Sequence, residues 1–174
     1  YSKKNPKKGF NWENLNMAAK FSGLPDERGF IMLHVDINQY SPDLVKSVIS
    51  FQKNHKTIKD TNKALSLSLR TMKKINERRQ LMWIASRWKH YNDFRIFIMG
   101  IKGNEEIFGE GLVYEGVSKT PMKYRGQTGA QDNIIPMEDI FTGVINFYPD
   151  NQLTKYLLDL RRYRPKCIQD FFVD

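Results

Sequence analysis

Ser41-Pro42-Asp43-Leu44-Val45-Lys46-Ser47-Val48-Ile49-Ser50-Phe51 opens the stretch whose periodicity decides the fold class. Ser caps, Pro suits the first helical position, and Asp complements the positive end of the helix dipole. Leu44, Val45, Val48, Ile49 and Phe51 then supply an apolar face, which predicts a helix over 42–55. The pattern continues downstream. Leu65, Leu69, Met72 and Ile75 recur at helical spacing between lysines and arginines, predicting a second helix over 59–77 built on those four side chains. Residues 79–99 extend it, with Leu81, Met82, Ile84, Ala85 and Trp88 mostly on one side and Gly100 and Gly103 as the stop. Pro136-Met137-Glu138-Asp139 opens a fourth helix to 147. Pro149-Asp150 restarts the chain into a fifth over 150–163, with Leu153, Tyr156, Leu157 and Leu160 inward and Pro165 ending it. The expectation is an all-α bundle with no sheet of more than two short strands.

Outside these helices the signals are weaker. Residues 1–13 are basic and carry Pro6 and Gly9, so an extended entry is expected, followed by a short helix over 14–22. Pro25-Asp26-Glu27-Arg28-Gly29 is turn chemistry, and Phe30 to Val35 fits either a strand or a buried helix. Residues 101–135 hold six glycines and little regular pattern. A loop of that length in a compact domain is usually functional or disordered.

Hydrophobic residues make up 40% of the 174 residues, enough for a packed core and against wholesale disorder. The net charge of +9 favours acidic partners, whether nucleic acid, an anionic membrane or an acidic protein, or else is plain solvated surface. Lys59, Lys63, Arg70, Lys73, Lys74, Arg78 and Arg79 form the basic face that would carry such a partner. Cys167 is the single cysteine, so no intramolecular disulfide forms, which suits a reducing compartment. His34, His55 and His90 are too widely spaced to build a Cys/His zinc site with it, and no metal ligand is assigned. No apolar run approaches the ~20 residues of a membrane span. Tyr1 at the start and the apolar Phe171-Phe172-Val173-Asp174 at the end give the expectation of a chain cut at both ends.

Four places invite chemistry. Arg95, within Asp93-Phe94-Arg95-Ile96-Phe97-Ile98-Met99-Gly100, is a guanidinium among apolar neighbours that needs a carboxylate, either an acid of the chain or a ligand. His34 closes the run Phe30-Ile31-Met32-Leu33, as a satisfied core histidine or as a polar group facing a ligand. His90-Tyr91 precedes Arg95 by about one helical turn and can share its face. Gly126-Gln127-Thr128-Gly129-Ala130-Gln131 is a flexible polar loop, either plain surface or a source of backbone N–H groups for an anion.

Three segments read together identify a family. Arg95 to Asn104, ending Gly100-Ile101-Lys102-Gly103-Asn104, runs into Gly111-Leu112-Val113-Tyr114-Glu115-Gly116. The glycine-rich loop 126–131 follows, then Tyr156-Leu157-Leu158-Asp159-Leu160-Arg161-Arg162-Tyr163-Arg164-Pro165. In this order and spacing the chain closely resembles the indoleamine 2,3-dioxygenases. Their arginine segment leads to Gly-x-Lys-Gly-Asn, a Val-Tyr-Glu-Gly stretch, a Gly-Gly-Ser-type loop and an Arg-Arg-Tyr-x-Pro helix end. Lys3-Lys4-Asn5-Pro6 and Gly29-Phe30 are similar as well. The resemblance spans essentially the whole chain.

It implies the helical bundle of that family's large haem domain with a long glycine-rich insertion, residues 1–174 being part of it. The family's small N-terminal domain and its proximal-histidine helix would lie outside this chain. It also implies haem b, O2 and an indole substrate, tryptophan being opened to N-formylkynurenine in a cytoplasmic or mitochondrial setting. By resemblance Arg95 clamps the substrate carboxylate and Phe30 packs on the indole. Thr128 and Gly129 cover the substrate, Gly126 and Thr128 lie toward the haem edge, and His34 stands at a distal-pocket position. His90-Tyr91 replace a pair of phenylalanines and make the pocket more polar, and Gln127 stands where a second glycine is common. Nothing in the chain matches the proximal-histidine stretch. A non-catalytic oxygen carrier of the same fold, or a structural subunit of a large nucleoprotein or membrane assembly, are the alternatives.

Overall fold

Pro25 starts the first helix, α1 (Pro25–Asn38), because its fixed φ is already helical and its missing N–H is not needed there. A computed structural model describes residues 1–96, 100–126 and 128–172 of the chain. The stretch 25–29, expected as a turn, is the first turn of α1, and the ambiguous run 30–35 is its continuation. Two buried acids in that turn decide the outcome. The Glu27 carboxylate accepts the amides of Phe21, Ser22 and Gly23, each at 2.8 Å, and the Ser22 hydroxyl at 2.7 Å. Burial alone pushes Glu27 upward, but these four donors outweigh it and hold the carboxyl below its ordinary range. Asp26 is spent on Arg87, as described below.

The chain forms two compact units, Tyr1–Phe94 and the part from Arg95 onward. In the first, α2 (Ser41–Asn54) and α3 (Ile58–Arg79) pack as a helical hairpin. Thr57 caps α3 by accepting the Asp60 amide at 3.1 Å. Helix α2 buries Leu44 and Val48 as its period demands. Helix α3 does not use the expected leucines: Leu65, Leu69 and Met72 are exposed, Leu69 by 59%, while Ala64, Ser68 and Thr71 are buried. Small side chains let the two helix backbones approach. The Ser47 hydroxyl donates to the Ala64 carbonyl across the interface at 3.1 Å, a contact a leucine stripe would hold apart.

The helix expected over 14–22 is absent. Its place is taken by a 3-10 turn (Trp12–Asn14) and strand β2 (Leu15–Asn16), which pairs antiparallel with β1 (Ser2–Lys3). Asn14 explains the difference. Its side chain accepts the Asn5 amide and donates to the Asn5 and Gly9 carbonyls, competing with helical bonding. Arg28 takes the carbonyls of Trp12, Glu13 and Leu15 as well. Asp36, buried on α1, receives the Trp12 amide at 2.8 Å and the Arg78 guanidinium of α3, Nε at 3.0 Å. Arg78 therefore leaves the proposed basic face for a structural ion pair, while the rest of that face stays exposed.

The helix expected over 79–99 breaks into α4 (Met82–Ala85), a 3-10 turn (Trp88–His90) and α5 (Tyr91–Arg95). Phe97, Ile98 and Met99 of that expectation, and Gln127 of the loop, lie outside the described residues. Ser86 and Arg87 are extended because Arg87 is pulled to Asp26. Of the apolar set expected on one side, Ala85 is buried but Ile84 and Trp88 are exposed.

The second unit carries α6 (Glu105–Phe108), a lone bridge between Leu112 and Met122, and a 3-10 turn (Gly129–Gln131) inside the long loop. Helix α7 (Ile134–Phe141) starts two residues early, with Asp132 capping the Ile134 amide at 2.7 Å. It stops before 147, where the Thr142 hydroxyl donates to the Glu138 carbonyl. Helix α8 (Gln152–Asp159) tightens into a 3-10 turn (Leu160–Tyr163) and, after Pro165, an unexpected α9 (Lys166–Phe171) follows. Leu160 is buried as expected, but Leu153 is exposed. The architecture is all-α: among the described residues the only sheet is the two-stranded β1–β2 pair.

Candidate functional site

Helix α1 presents Phe30 and His34 one turn apart, and α5 presents Tyr91 and Phe94. Their rings form one cluster in the first unit. Phe30 lies 4.8 Å from His34, 5.4 Å from Tyr91 and 5.6 Å from Phe94, and Tyr91 meets Phe94 edge-on at 5.6 Å. These are ordinary aromatic separations. Phe94 is the buried base of the cluster. It escaped the sequence reading, although its position three residues after Tyr91 on one helix face was the available signal.

Two devices set this arrangement. Asp26 receives the Arg87 amide at 2.7 Å, Nε at 2.9 Å and Nη2 at 2.7 Å, so one carboxylate binds both the backbone and the guanidinium at the head of the segment leading to α5. The Arg87 guanidinium holds the Asp26 carboxyl far below the usual carboxylate range, against the opposing effect of burial. Gly29, just before Phe30, lies so close to α4 that a Cβ there would fall 1.7 Å from the Ala85 carbonyl oxygen. From sequence Asp26 read only as part of a turn, Gly29 only as the family-like neighbour of Phe30, and Arg87 as nothing, because their roles depend on contacts some 60 positions apart.

The histidines divide clearly. His34 Nδ1 lies 2.8 Å from the Phe30 carbonyl, which can only accept, so Nδ1–H donates to it and Nε2 is the ring nitrogen turned away from that bond. His90 sits in the turn before α5 and bonds Asp93 at 3.1 Å, away from the Phe30 ring contacts among the described residues. His55 is exposed at the end of α2 and bonds the Phe51 and Gln52 carbonyls. Among the described residues no group of three or more His, Cys, Asp or Glu could hold a metal ion.

Arg95, the last residue of α5, is half-buried and belongs to the second unit, as do Gly126, Thr128 and Gly129. Thr128 caps the turn that follows it, its hydroxyl accepting the Ala130 amide at 3.4 Å while Gln131 Oε1 accepts the Thr128 amide. Gly100 touches this loop: a Cβ on it would fall 1.8 Å from the Gly126 nitrogen. Asp159 binds Arg125 at 2.6 Å, next to Gly126, and also Arg162 at 3.0 Å and Lys102 at 3.3 Å. The Arg125 bond, with the other two cations, holds its carboxyl below the usual range. Asp159 and Arg125 also went unnoticed in the sequence, where they are ordinary surface charges.

Among the described residues no helix is long and apolar enough to cross a membrane. The family model for indoleamine 2,3-dioxygenase matches residues 1–174. Indoleamine 2,3-dioxygenase 1 of Rattus norvegicus is 27% identical over 98% of this chain and 42% of its own length. Indoleamine 2,3-dioxygenase 2 of Homo sapiens is 26% identical over 100% of this chain and, again, 42% of its own length. Myoglobin of Haliotis madaka is 32% identical over 84 residues, 48% of this chain and 21% of its own. The chain thus spans about two fifths of the dioxygenases it matches. With the motif order of segments 95–165 and the all-α fold, the match across its full length means that the chain belongs to the indoleamine 2,3-dioxygenase family.

Proposed function

We propose that this chain is the substrate-side part of the large domain of a haem-dependent dioxygenase, one that inserts both atoms of O2 across the C2–C3 bond of tryptophan's indole to give N-formylkynurenine. The observation that carries the reading is the Phe30–Tyr91–Phe94 cluster on a family match covering residues 1–174. Phe30 and Tyr91 offer aromatic faces to an indole. Arg95, one turn after Tyr91, offers a planar fork to the amino-acid carboxylate. His90 adds polarity beside Tyr91. By resemblance to the family's glycine-rich loop, Thr128 and Gly129 would contact the substrate, and Gly126 and Thr128 would contact the haem.

The residues present fit one face of the haem. The aromatic cluster is apolar, and His34 adds one polar ring to it, tied through Nδ1 to the Phe30 carbonyl. His55 is exposed and bonded to backbone carbonyls, and His90 is bonded to Asp93, so neither is proposed to hold the haem iron. Bound haem supplies the binding and activation of O2. What this chain would supply is orientation of the indole, a counter-charge for the carboxylate and a polar side chain, His34, beside the aromatic cluster.

The test is kcat/KM of the haem-loaded full-length protein for tryptophan and for an indole analogue without the carboxylate, in wild type and Arg95→Ala. Truncating one partner of such a pair costs about 2–5 kcal/mol, roughly 30- to several-thousand-fold, for tryptophan and little for the analogue. Equal losses for both substrates would show that Arg95 supports the fold and does not read the carboxylate. The myoglobin match favours a second reading, reversible O2 binding without turnover. O2 uptake that reverses on deoxygenation and yields no N-formylkynurenine from tryptophan would establish it.

A further inference from the structure

Among the described residues, Arg164 is a buried cation with no carboxylate bound to it. The residue is 5% exposed, and its Nη2 donates to the carbonyls of Ala130, at 3.2 Å, and Asp132, at 3.0 Å. Its Nε and Nη1 are buried with no hydrogen-bond partner among the described residues. The Phe172 ring lies 5.7 Å away. The backbone carrying Arg164 is tied down, with Gln169 donating to the Arg164 carbonyl at 2.7 Å and to the Arg162 carbonyl at 3.2 Å. Burial, and then the charge of Arg161, pushes the guanidinium below its ordinary value.

Fold stability does not explain this residue. A desolvated guanidinium with unmet donors is unfavourable, and an apolar side chain of the same length would remove that penalty while leaving the Ala130 and Asp132 carbonyls without this donor, so the two effects oppose each other. What only a guanidinium provides is one rigid tie to two carbonyls on either side of Gln131. Those carbonyls close the rear of the glycine-rich loop. Its front is held at Arg125 by Asp159, at 2.6 Å. Both ends of the loop are therefore gripped by residues of one short segment, 159–164.

We propose that Arg164 is a positioning residue that clamps the Thr128–Asp132 turn and so fixes the part of the loop that contacts the substrate. The proposal rests on the reading of that loop as the substrate cover. The clamp acts through backbone carbonyls, so it sets the placement of the Thr128 hydroxyl and the Gly129 amide without touching substrate.

The test compares Arg164→Met, which keeps length and loses every donor, with Arg164→Lys in the full-length haem-loaded protein. Three quantities are read: melting temperature, hydrogen exchange at the Gln131 and Asp132 amides, and kcat and KM for tryptophan. These amides bond the Thr128 and Gly129 carbonyls at 3.0 Å and report the turn directly. For Arg164→Met the melting temperature changes little, and exchange at the two amides rises about tenfold or more. KM rises by about tenfold while kcat stays within about twofold. Arg164→Lys restores part of the protection and part of KM. A lowered melting temperature with exchange unchanged at the two amides, or raised equally throughout α8 and α9, overturns the clamp. Should Arg164→Met fail to fold, Arg164→Lys alone decides: wild-type exchange at both amides overturns the proposal and raised local exchange supports it. If tryptophan is not turned over at all, the dioxygenase reading fails, and the exchange data still decide the clamp.

Discussion

Gly29→Ala adds one methyl group where α1 meets α4. The new carbon would lie 1.7 Å from the Ala85 carbonyl oxygen, 2.5 Å from the Ala85 carbonyl carbon and 3.1 Å from its Cα. Side-chain carbons essentially never sit closer than 3.0 Å to such atoms, so α1 and α4 must separate by about 1.3 Å or twist. The obstacle is backbone, and Ala85→Gly in the same chain therefore gives no rescue. Overpacking of this kind costs about 1–3 kcal/mol, which lowers Tm by roughly 2–12 °C in a chain of this size. Phe30 is the next residue, so the same displacement spreads the Phe30–Tyr91 pair now 5.4 Å apart. The assay is a thermal melt of the full-length protein, with Gly9→Ala as control. Gly9 has no atom within 4 Å of its would-be Cβ, so that variant melts at or slightly above wild type. A Gly29→Ala protein melting with the control, or one rescued by Ala85→Gly, refutes the close approach.

Asp26→Asn loses the charge that holds Arg87, and Tm drops by on the order of a few degrees. Because Arg87 depresses the folded-state acidity of Asp26, the stability it contributes is complete above the unfolded carboxyl value near pH 4. It disappears as pH falls below that toward the folded value; an Asp26→Asn protein that keeps the wild-type acid-unfolding curve excludes this. On α3, Ser68→Leu forces bulk into the buried stripe and costs about 1–3 kcal/mol in denaturant melts. Leu69→Ser, on the exposed side, changes stability by no more than about 0.5 kcal/mol; the reverse ranking would restore the leucine face as the core.

Amino-acid order alone determined the helical class and the family. Both rest on local information: capping and periodicity for α2 and α3, and short motifs such as Gly100-Ile101-Lys102-Gly103-Asn104 whose spacing is readable without coordinates. Phe30 and Tyr91 were legible as candidates in the same way, through their places beside Gly29 and before Arg95. Tertiary structure decided the rest. Which face of α3 is buried was settled by how near α2 comes, and nearness selected Ala64, Ser68 and Thr71 over the more hydrophobic leucines. Where the 79–99 helix breaks was settled by a carboxylate 61 positions upstream, and a local period carries no trace of such a bond. The same holds for Arg164. In the sequence it is one arginine in a basic run. Its burial beneath two carbonyls of a distant turn exists only once the chain has folded, because desolvation and hydrogen bonding are properties of a place in space, not of a position in the chain.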